Sequence, residues 1–430
     1  MLVPTLAGTL IGTAITGVAL GAALGLTGLT ILYFYVNGAT FLAIDAIWDV
    51  FNSFVLSAVP MFILLGEILL RSGISERIYS AFTPVFKKVP GGLLHSNIAV
   101  CTIFGAVSGS SLSTAAAVGS VAYPEMANRG YDKEAVVGSL AGGGTLGLLI
   151  PPSLSLLIFG ALTETSIGRL FIAGIIPGLM VSGLFMLYIL FMCLRSPWIS
   201  PQNTEKIRFL DVLIGMKQIW PVLILIIAIM GSIIMGIATP TEAAAVGVVV
   251  AAVISFIWGD LTTKDLWLAI YRSVLVFASI GFIVLGATIL SQSISILGVP
   301  RTILEATASG AIGKYAVFAV IVVIYVVFGC IFDGLSLMIM TLPLVFPLLV
   351  GYGFDPIWIG VIITIMIEIG QVTPPVGLNL SVLAAITNNE VNLGRVAIAT
   401  IPYWLILLFS VVILSVFPAI ALYLPDLAFK

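Results

Sequence analysis

The sequence predicts an all-α polytopic membrane protein built from two inverted repeats, each with a re-entrant hairpin and a broken helix. Three observations lead to this prediction. Hydrophobic residues make up 60% of the 430 residues and charged residues only 8%, whereas soluble domains carry about 25% charge. Apolar runs such as residues 214–237 and 403–424 reach the roughly 20 residues that cross a bilayer. A set of landmarks also occurs twice, about half a chain apart.

The apolar runs favour helices over a β-barrel. Backbone groups inside a bilayer must be hydrogen-bonded internally, so only helices and closed barrels span it. The runs are long and lack the period-2 alternation of barrel strands. We therefore expect spans near residues 13–36, 53–71, 133–163, 170–195, 219–237, 241–258, 273–293, 356–387 and 396–424. Two more apolar stretches, 92–127 and 315–350, are interrupted midway by Gly, Ser or Asp.

The two halves carry the same landmarks in the same order. Residues 147–152 read G-L-L-I-P-P and residues 370–375 read G-Q-V-T-P-P, and a Gly-Arg pair and a membrane proline follow each. Repeats with interrupted helices at equivalent positions are typical of transporter binding sites. The first repeat is predicted over residues 1–195, with hairpin 92–127 and broken helix 133–163. A cytoplasmic linker, 196–218, leads to the second repeat, 219–430, with hairpin 315–350 and broken helix 356–387.

The placement of Lys and Arg predicts the orientation. If the two interrupted stretches are re-entrant hairpins, thirteen of the 17 basic residues fall on one side of the membrane and four on the other. The positive-inside rule makes the first side cytoplasmic. The first hairpin then enters from the cytoplasm and the second from outside, so the repeats are inverted, as alternating access usually requires.

The first hairpin and broken helix offer neutral oxygen ligands. Glycines and prolines there unwind the helix, and unwinding frees backbone carbonyl groups. We predict a Na⁺ site between the carbonyls of Gly147 and Ile150 and the oxygens of Ser108 and Ser110, with Pro151 also in the site. The alternative interpretation is a seam of small residues for helix packing beside an ordinary proline kink.

The second hairpin and broken helix differ because they carry an acid. Asp333 lies in a strongly apolar stretch, where an ionised carboxylate is costly unless it is paired. We predict a second Na⁺ site formed by Asp333, Gly334, Gly370 and Thr373. The alternative is that Asp333 caps the returning half of the hairpin through backbone N–H groups, and both roles can coexist.

Five further residues have predicted roles. Ser153 and Asn379 lie just beyond the helix breaks, where half-helix N-termini attract an anion, and with Ser111 they are the candidate substrate contacts. Glu242, in the motif T-P-T-E, is expected to complete a capping box. Glu368, just before the second break, is a candidate for relaying protons or tuning an ion site.

Several function classes are excluded by what the sequence lacks. A single histidine rules out a multi-histidine metal site, and no Walker-type G-x-x-x-x-G-K-[ST] motif is present. No Lys/Arg cluster indicates nucleic-acid binding. An intramembrane enzyme lacks a convincing nucleophile and base, so the chain is not expected to be an enzyme. A channel is disfavoured because hairpins with ion sites on both sides would interrupt a pore.

Four ordered motifs resemble the large membrane subunit of TRAP (tripartite ATP-independent periplasmic) transporters, of the DctM type. They lie at residues 105–111 (G-A-V-S-G-S-S), 147–153 (G-L-L-I-P-P-S), 236–245 (G-I-A-T-P-T-E-A-A-A) and 370–379 (G-Q-V-T-P-P-V-G-L-N). The resemblance covers nearly the whole chain. Family ion sites fall at hairpin tips and broken helices, which correspond to the residues above.

The resemblance implies an elevator-type secondary transporter of the ion-transporter superfamily, driven by Na⁺, with at least two coupling ions. It implies two partners, a small four-helix membrane subunit and a periplasmic substrate-binding protein. Family substrates are carboxylate-bearing organic acids of the sialic acid or dicarboxylate class. The implied location is the bacterial inner membrane, with the N-terminus cytoplasmic and the C-terminus periplasmic. A H⁺-coupled organic-anion transporter and a channel-like permease are the alternatives.

Overall fold

The computed structural model describes residues 2–201, 215, 217–309 and 313–429. Every regular element within these ranges is helical, which confirms the all-α prediction. Part of the predicted linker, residues 202–214 and 216, lies outside the described residues. Of the described helices, six are long and apolar enough to cross a membrane, or seven if one bent pair counts as a single span.

Ten α-helices lie in the described part of the first half. They are α1 (Leu2–Ile15), α2 (Leu20–Tyr35), α3 (Leu42–Asn52), α4 (Ala58–Arg71), α5 (Ile74–Phe86), α6 (Leu93–Ser108), α7 (Ser111–Asn128), α8 (Lys133–Leu149), α9 (Leu154–Thr163) and α10 (Ile167–Arg195). The span predicted over 13–36 begins only at Leu20, because Gly17 adopts a positive φ and α1 ends before it. Helix α1 then folds back along α2, so that Thr5 and Tyr35 are hydrogen-bonded.

The described part of the second half contains ten more. They are α11 (Trp220–Ile234), α12 (Pro240–Ile257), α13 (Thr263–Ile296), α14 (Val299–Ser309), α15 (Lys314–Gly329), α16 (Gly334–Gly351), α17 (Pro356–Gln371), α18 (Leu378–Ile386), α19 (Leu393–Val416) and α20 (Ala419–Ala428). The predicted capping box of Thr239 and Glu242 is present and starts α12. The span predicted over 396–424 is instead divided between α19 and α20, which meet at Pro418.

Helices α6 and α7 form the first re-entrant hairpin. At its open end the backbone N–H of Leu93 donates to the Tyr131 hydroxyl at 3.1 Å. At its tip the hydroxyls of Ser108 and Thr114 are 2.8 Å apart. The chain reverses at Gly109, whose φ of +59° is a conformation that glycine adopts without strain. The two arms are therefore antiparallel, and both ends of the hairpin lie on one side.

Helices α15 and α16 form the second hairpin in the same way. The rings of Phe318 and Phe354 lie at its open end, with centroids 5.7 Å apart. Halfway along, the hydroxyls of Tyr325 and Thr341 are 2.5 Å apart. Residues 330–333 form the tip, between the end of α15 and the start of α16. The predicted pair of re-entrant hairpins is thus confirmed.

Each hairpin is followed by a helix that breaks at consecutive prolines. Residues 150–153 separate α8 from α9, and residues 372–377 separate α17 from α18. The Pro151–Pro152 and Pro374–Pro375 peptide bonds, at equivalent positions of the two halves, are both cis. Proline cannot continue a helix because it lacks an N–H and clashes with the preceding turn. Both broken helices are therefore explained by their sequence.

The two broken helices run in opposite directions. The start of α8 lies beside the loop that leads into α19, where the Lys133 ammonium is 2.7 Å from the Glu390 carboxylate. The start of α17 lies at the other end of the molecule, where Gly360 packs against Phe159 and Leu170 of the first half. The open ends of the two hairpins therefore lie on opposite sides, which confirms that the repeats are inverted.

The helices form two layers. We call α2, α4, α12 and α13, which pack against one another, the scaffold. We call the two hairpins, the broken helices, α10 and α19, which also pack together, the core. The layers touch at both hairpins. Helix α13 packs against α16, and α4 meets the first hairpin tip, where a Cβ on Gly66 would lie 2.7 Å from the Ser108 carbonyl oxygen. Each layer takes helices from both halves of the sequence.

Candidate ion and substrate site

Hydroxyl and carbonyl oxygens cluster at the tip of the first hairpin. The Thr114 hydroxyl donates to the Ser110 carbonyl at 2.7 Å and lies 2.8 Å from the Ser108 hydroxyl. Gly147 of α8 faces the same atoms, because a Cβ there would lie 2.6 Å from both the Ser110 carbonyl and the Thr114 hydroxyl. The structure thus brings Ser108, Ser110 and Gly147 together. It adds Thr114, which the sequence interpretation had not assigned to the site.

The side chains of two other members of the predicted first site, Ile150 and Pro151, pack against α10. The Ile150 side chain packs against Gly178 of α10, and the Pro151 ring lies near Gly174 of the same helix. Both glycines leave room for the bend in the broken helix. The side chains of Ile150 and Pro151 are therefore directed toward α10. Because the predicted ligand of Ile150 is its backbone carbonyl, the role of these two residues in the ion site stays a prediction.

In the second predicted site, Asp333 caps a helix. Its Oδ2 accepts hydrogen bonds from the backbone N–H and the hydroxyl of Ser336, both at 3.2 Å, and these hold the start of α16. The Thr373 hydroxyl donates to the Ile369 carbonyl at 2.5 Å. No hydrogen bond joins Asp333 to Thr373 in the described ranges. Gly334 lies next to Gln371, whose amide nitrogen would be 3.0 Å from a Cβ at that glycine.

Both hairpins cross their broken helices through a pair of glycines. A Cβ on Gly105 would lie 2.8 Å from the Cα of Gly147, and a Cβ on Gly329 would lie 2.8 Å from the Cα of Gly370. Any larger side chain would push the backbones apart. The seam of small residues is therefore present at both crossings. It also allows the backbone oxygens of each hairpin tip to approach a broken helix.

The predicted substrate contacts Ser111 and Asn379 meet at the centre of the core. The Asn379 amide donates to the Ser111 hydroxyl at 2.7 Å, and that hydroxyl donates to Glu368 Oε2 at 2.9 Å. All three side chains are buried, with Asn379 and Glu368 fully shielded at 0% exposure. Ser111 comes from the first hairpin, whereas Asn379 and Glu368 come from the second broken helix. This group joins the two repeats directly.

Ser153, the third predicted substrate contact, belongs to a neighbouring hydroxyl cluster. It caps α9 and donates to the carbonyl of Leu148. Its hydroxyl is 2.9 Å from that of Ser155, which is 3.2 Å from the hydroxyl of Thr364. The described residues show no hydrogen bond between Ser153 and either Ser111 or Asn379.

Glu368 belongs to a polar stripe on α17, whose other two members, Thr364 and Gln371, were not predicted from the sequence. Thr364, Glu368 and Gln371 are spaced as i, i+4 and i+7, so they lie on one face of the helix. Their exposed fractions are only 0%, 0% and 3%. The signal was present in the sequence, because these are the only polar side chains between Trp358 and Gln371. Helical spacing of polar residues in an apolar run would have singled them out.

A cleft of about 960 Å³ separates the two layers at the end of the molecule where α9 meets α10. Ser53, Thr241 and Ser291 line it on the side of α4, α12 and α13, and Thr165 and Pro343 line it on the side of the core. The predicted ion and substrate residues do not line this cleft. The buried group of Ser111, Glu368 and Asn379 is therefore separate from the cleft.

The chain is similar to known transport proteins over most of its length. It is 33% identical over 405 residues to the C4-dicarboxylate TRAP transporter large permease protein DctM of Pseudomonas aeruginosa, covering 94% of this chain and 93% of that protein. It is 35% identical over 378 residues to the ectoine TRAP transporter large permease protein TeaC of Halomonas elongata, covering 87% of each.

A solved structure has the same fold. The YdaH transporter of Alcanivorax borkumensis, whose crystal structure is described as having an unusual topology, superposes with a TM-score of 0.62 at 15% identity and 90% coverage of both chains. The family described as "Tripartite ATP-independent periplasmic transporter, DctM component" matches residues 7–420. The chain therefore belongs to the DctM family of TRAP transporter components, as a multi-pass membrane permease and not an enzyme.

Proposed function

We propose that this permease imports a carboxylate-bearing organic acid, of the sialic acid or dicarboxylate class, coupled to Na⁺ by an elevator mechanism. One observation carries the proposal: Ser111 of the first hairpin is hydrogen-bonded to Glu368 and Asn379 of the second broken helix. A polar site enclosed between inverted repeats is the arrangement that secondary transporters use for substrate and coupling ions.

Na⁺ coupling is supported by the kind of atoms at the hairpin tips. The first tip offers the hydroxyls of Ser108 and Thr114 and the carbonyl of Ser110 within 3.4 Å of one another. Unwound carbonyls and hydroxyls are typical Na⁺ ligands in transporters. The second hairpin tip offers Asp333 and Gly334, and the second broken helix contributes Gly370 and Thr373. We assign one ion to each tip.

An anionic substrate is supported by the substrates that the relatives are named for. C4-dicarboxylates and ectoine, named in two of the relatives, carry a carboxylate, and isethionate, named in a third, carries a sulfonate instead. The helices α9 and α18 begin close to Ser153 and Asn379, and helix N-termini favour negative charge. We therefore place the substrate carboxylate between these half-helices, with Ser111, Ser153 and Asn379 as its contacts.

The elevator mechanism is supported by the two layers. The core carries every proposed ion and substrate residue, while the scaffold carries none of them. Movement of the core along the scaffold would expose the site alternately on the two sides. We propose a small four-helix membrane subunit beside the scaffold, and a periplasmic binding protein that delivers substrate. We place the chain in the inner membrane with its N-terminus cytoplasmic and its C-terminus periplasmic, and treat residues 1–195 and 219–430 as the repeat units.

Reconstitution tests this proposal. The chain would be placed in liposomes with its small subunit, together with the binding protein encoded beside it, and uptake of that protein's ligand followed. We expect uptake only with an inward Na⁺ gradient and with the binding protein present. Uptake that persists without the Na⁺ gradient would refute Na⁺ coupling, and uptake without the binding protein would indicate a channel-like permease.

Proton coupling is the second candidate, favoured by the buried carboxylate of Glu368. The same vesicles distinguish it, because a pH gradient imposed without Na⁺ would then drive uptake. We expect a pH gradient alone to give no accumulation.

A further inference from the structure

The carboxylate of Glu368 lies fully buried where the two repeats meet. Its Oε2 accepts a hydrogen bond from Ser111 at 2.9 Å, and the backbone N–H of Leu148 also faces the carboxylate, while no hydrogen bond of good geometry reaches its Oε1 within the described residues. None of the ion pairs in the described ranges includes Glu368. An ionised carboxylate inside a membrane protein is costly without a counter-charge. The carboxyl group of Glu368 must therefore be neutralised here, either by a bound proton or by a cation.

Two more buried oxygens near Glu368 lack donors. Asn379 shares the Ser111 hydroxyl with Glu368, and its Oδ1 has no hydrogen-bond partner in the described part of the chain. Gln371 lies one helical turn beyond Glu368 on the same face, and its Oε1 likewise lacks a partner there. Buried polar atoms are nearly always hydrogen-bonded in native proteins. Glu368 and Asn379 share the Ser111 hydroxyl, so their two unpartnered oxygens lie near one atom, and Gln371 adds a third on the same face of the helix. A shared positive ligand would satisfy these oxygens.

The fold itself does not require an acid here. The residue that corresponds to Glu368 in the first repeat, counted back from the aligned Gly370 and Gly147, is Thr145. The Thr145 hydroxyl donates to the Gly142 carbonyl within its own helix. The first broken helix thus forms without any carboxylate at this position, so Glu368 adds something that only the second repeat provides.

We propose that Glu368 ligates a third Na⁺, separate from the ions at the two hairpin tips, with the amide oxygens of Asn379 and Gln371 as further ligands. A Na⁺ can be coordinated by several oxygens at once, whereas a proton on Glu368 would form a hydrogen bond to only one acceptor. The inference rests on the proposed Na⁺-coupled uptake and extends it.

This site gives a physical reason for obligatory coupling. Asn379 and Ser111 are proposed substrate contacts, and both lie beside Glu368. A substrate carboxylate entering there would meet a like charge, which is strongly unfavourable in a low-dielectric interior. A Na⁺ bound between the two carboxylates removes the repulsion. Substrate then binds tightly only when the ion is present.

Glu368→Gln tests the site, because it keeps the shape of the side chain and removes the charge. The Na⁺-to-substrate ratio would be measured in liposomes with the complete three-component transporter. Na⁺-induced thermal stabilisation would be measured on the purified chain without substrate. The control is Glu305→Gln, since Glu305 is exposed and pairs with Arg301 within the same helix.

We expect Glu368→Gln to transport one Na⁺ fewer per substrate and to show a smaller Na⁺-induced thermal shift, while Glu305→Gln matches wild type in both. An unchanged ion ratio and thermal shift in Glu368→Gln would overturn the proposal. If Glu368→Gln abolished a pH dependence of uptake but left the Na⁺-to-substrate ratio unchanged, Glu368 would bind a proton and not a Na⁺. That result would also overturn the proposal. A wild-type protein whose uptake ignores Na⁺ would refute the proposed function, whereas the thermal shift would still report on the site.

Discussion

At the scale of single residues, Asp333 combines a structural and an ionic role that one pair of substitutions can separate. Asn is as good an N-cap as Asp, whereas Ala loses the cap. Asp333→Asn should therefore keep the hairpin stable but weaken the Na⁺ dependence of uptake, because the charge is gone. Asp333→Ala should show the same loss and also cost about 1 kcal/mol of stability.

Thermal unfolding and Na⁺ titration of uptake distinguish the two effects. If Asp333→Asn retains the wild-type Na⁺ dependence, Asp333 is only a cap and leaves the proposed second ion site. Ser336, which donates two hydrogen bonds to Asp333, would then account for its presence.

Contacts between residues far apart in the sequence could not be predicted. The sequence singled out Asn379, which lies just beyond a helix break, and Ser111, which lies in the Ser-rich segment of the first hairpin. It did not show that they contact each other, since they are 268 residues apart and meet only through the inverted packing. Thr114 was missed for a similar reason: its hydroxyl becomes part of the site through its neighbour Gly147 on α8, which the sequence does not show. Gln371 differs, because its helical spacing from Glu368 is visible in the sequence.

At the scale of elements, the glycine crossings govern how closely each hairpin approaches its broken helix. Gly105→Ala and Gly329→Ala would each place a methyl group against the backbone of the opposing helix, 2.8 Å from a Cα atom. Overpacking of this kind costs about 1–3 kcal/mol. We expect both substitutions to lower the melting temperature and to impair Na⁺-dependent uptake.

Gly183→Ala is the matched control for the crossings. Gly183 lies within α10 and a Cβ there would meet nothing within 4 Å. Alanine also favours helix over glycine, so this variant should be as stable as wild type or more so. Equal melting temperatures for all three variants would show that the crossings tolerate a methyl group.

An ionic contact joins the two repeats where α8 and α19 begin. The Lys133 ammonium and the Tyr123 hydroxyl both donate to the Glu390 carboxylate, at 2.7 Å and 2.9 Å. The hydrogen bond from Lys133, followed by that from Tyr123, lowers the pKa of Glu390 below its ordinary value. A lowered carboxyl pKa stabilises the fold above about pH 4.3 and loses its effect as the pH falls further.

Glu390→Gln should therefore melt below wild type at neutral pH. The difference in melting temperature between the variant and wild type should become smaller as the pH falls below about 4, where the wild-type carboxylate is itself protonated. The effect should be small because Lys133 and Glu390 are about half exposed, at 49% and 52%. If the difference in melting temperature were the same at neutral pH and below about pH 4, the charge of Glu390 would contribute nothing to stability.

At the scale of the whole molecule, composition and repeat predicted the helical, inverted architecture, because both follow from local rules. Proline pairs break helices wherever they occur, and Lys and Arg placement orients the spans. The division into scaffold and core could not be predicted, since each layer combines helices from both halves. Only packing between distant segments, such as α2 with α13 and α4 with α12, reveals it.

That division leads to a prediction about movement. Thr165 and Thr241 line the cleft between the layers, one on the core and the other on the scaffold. In an elevator these surfaces slide past each other, so a covalent link between them must stop the cycle. We expect the double variant Thr165→Cys, Thr241→Cys to lose uptake after treatment with a flexible bifunctional maleimide, and to keep it without treatment.

The control pair is Ser53→Cys with Thr241→Cys. These two positions lie on the same side of the cleft, where the Thr241 hydroxyl donates to the Phe54 carbonyl at 3.2 Å. Linking that pair should leave uptake intact, because no moving surface is crossed. Full uptake by the linked Thr165–Thr241 pair would mean that the layers do not move against each other at this cleft.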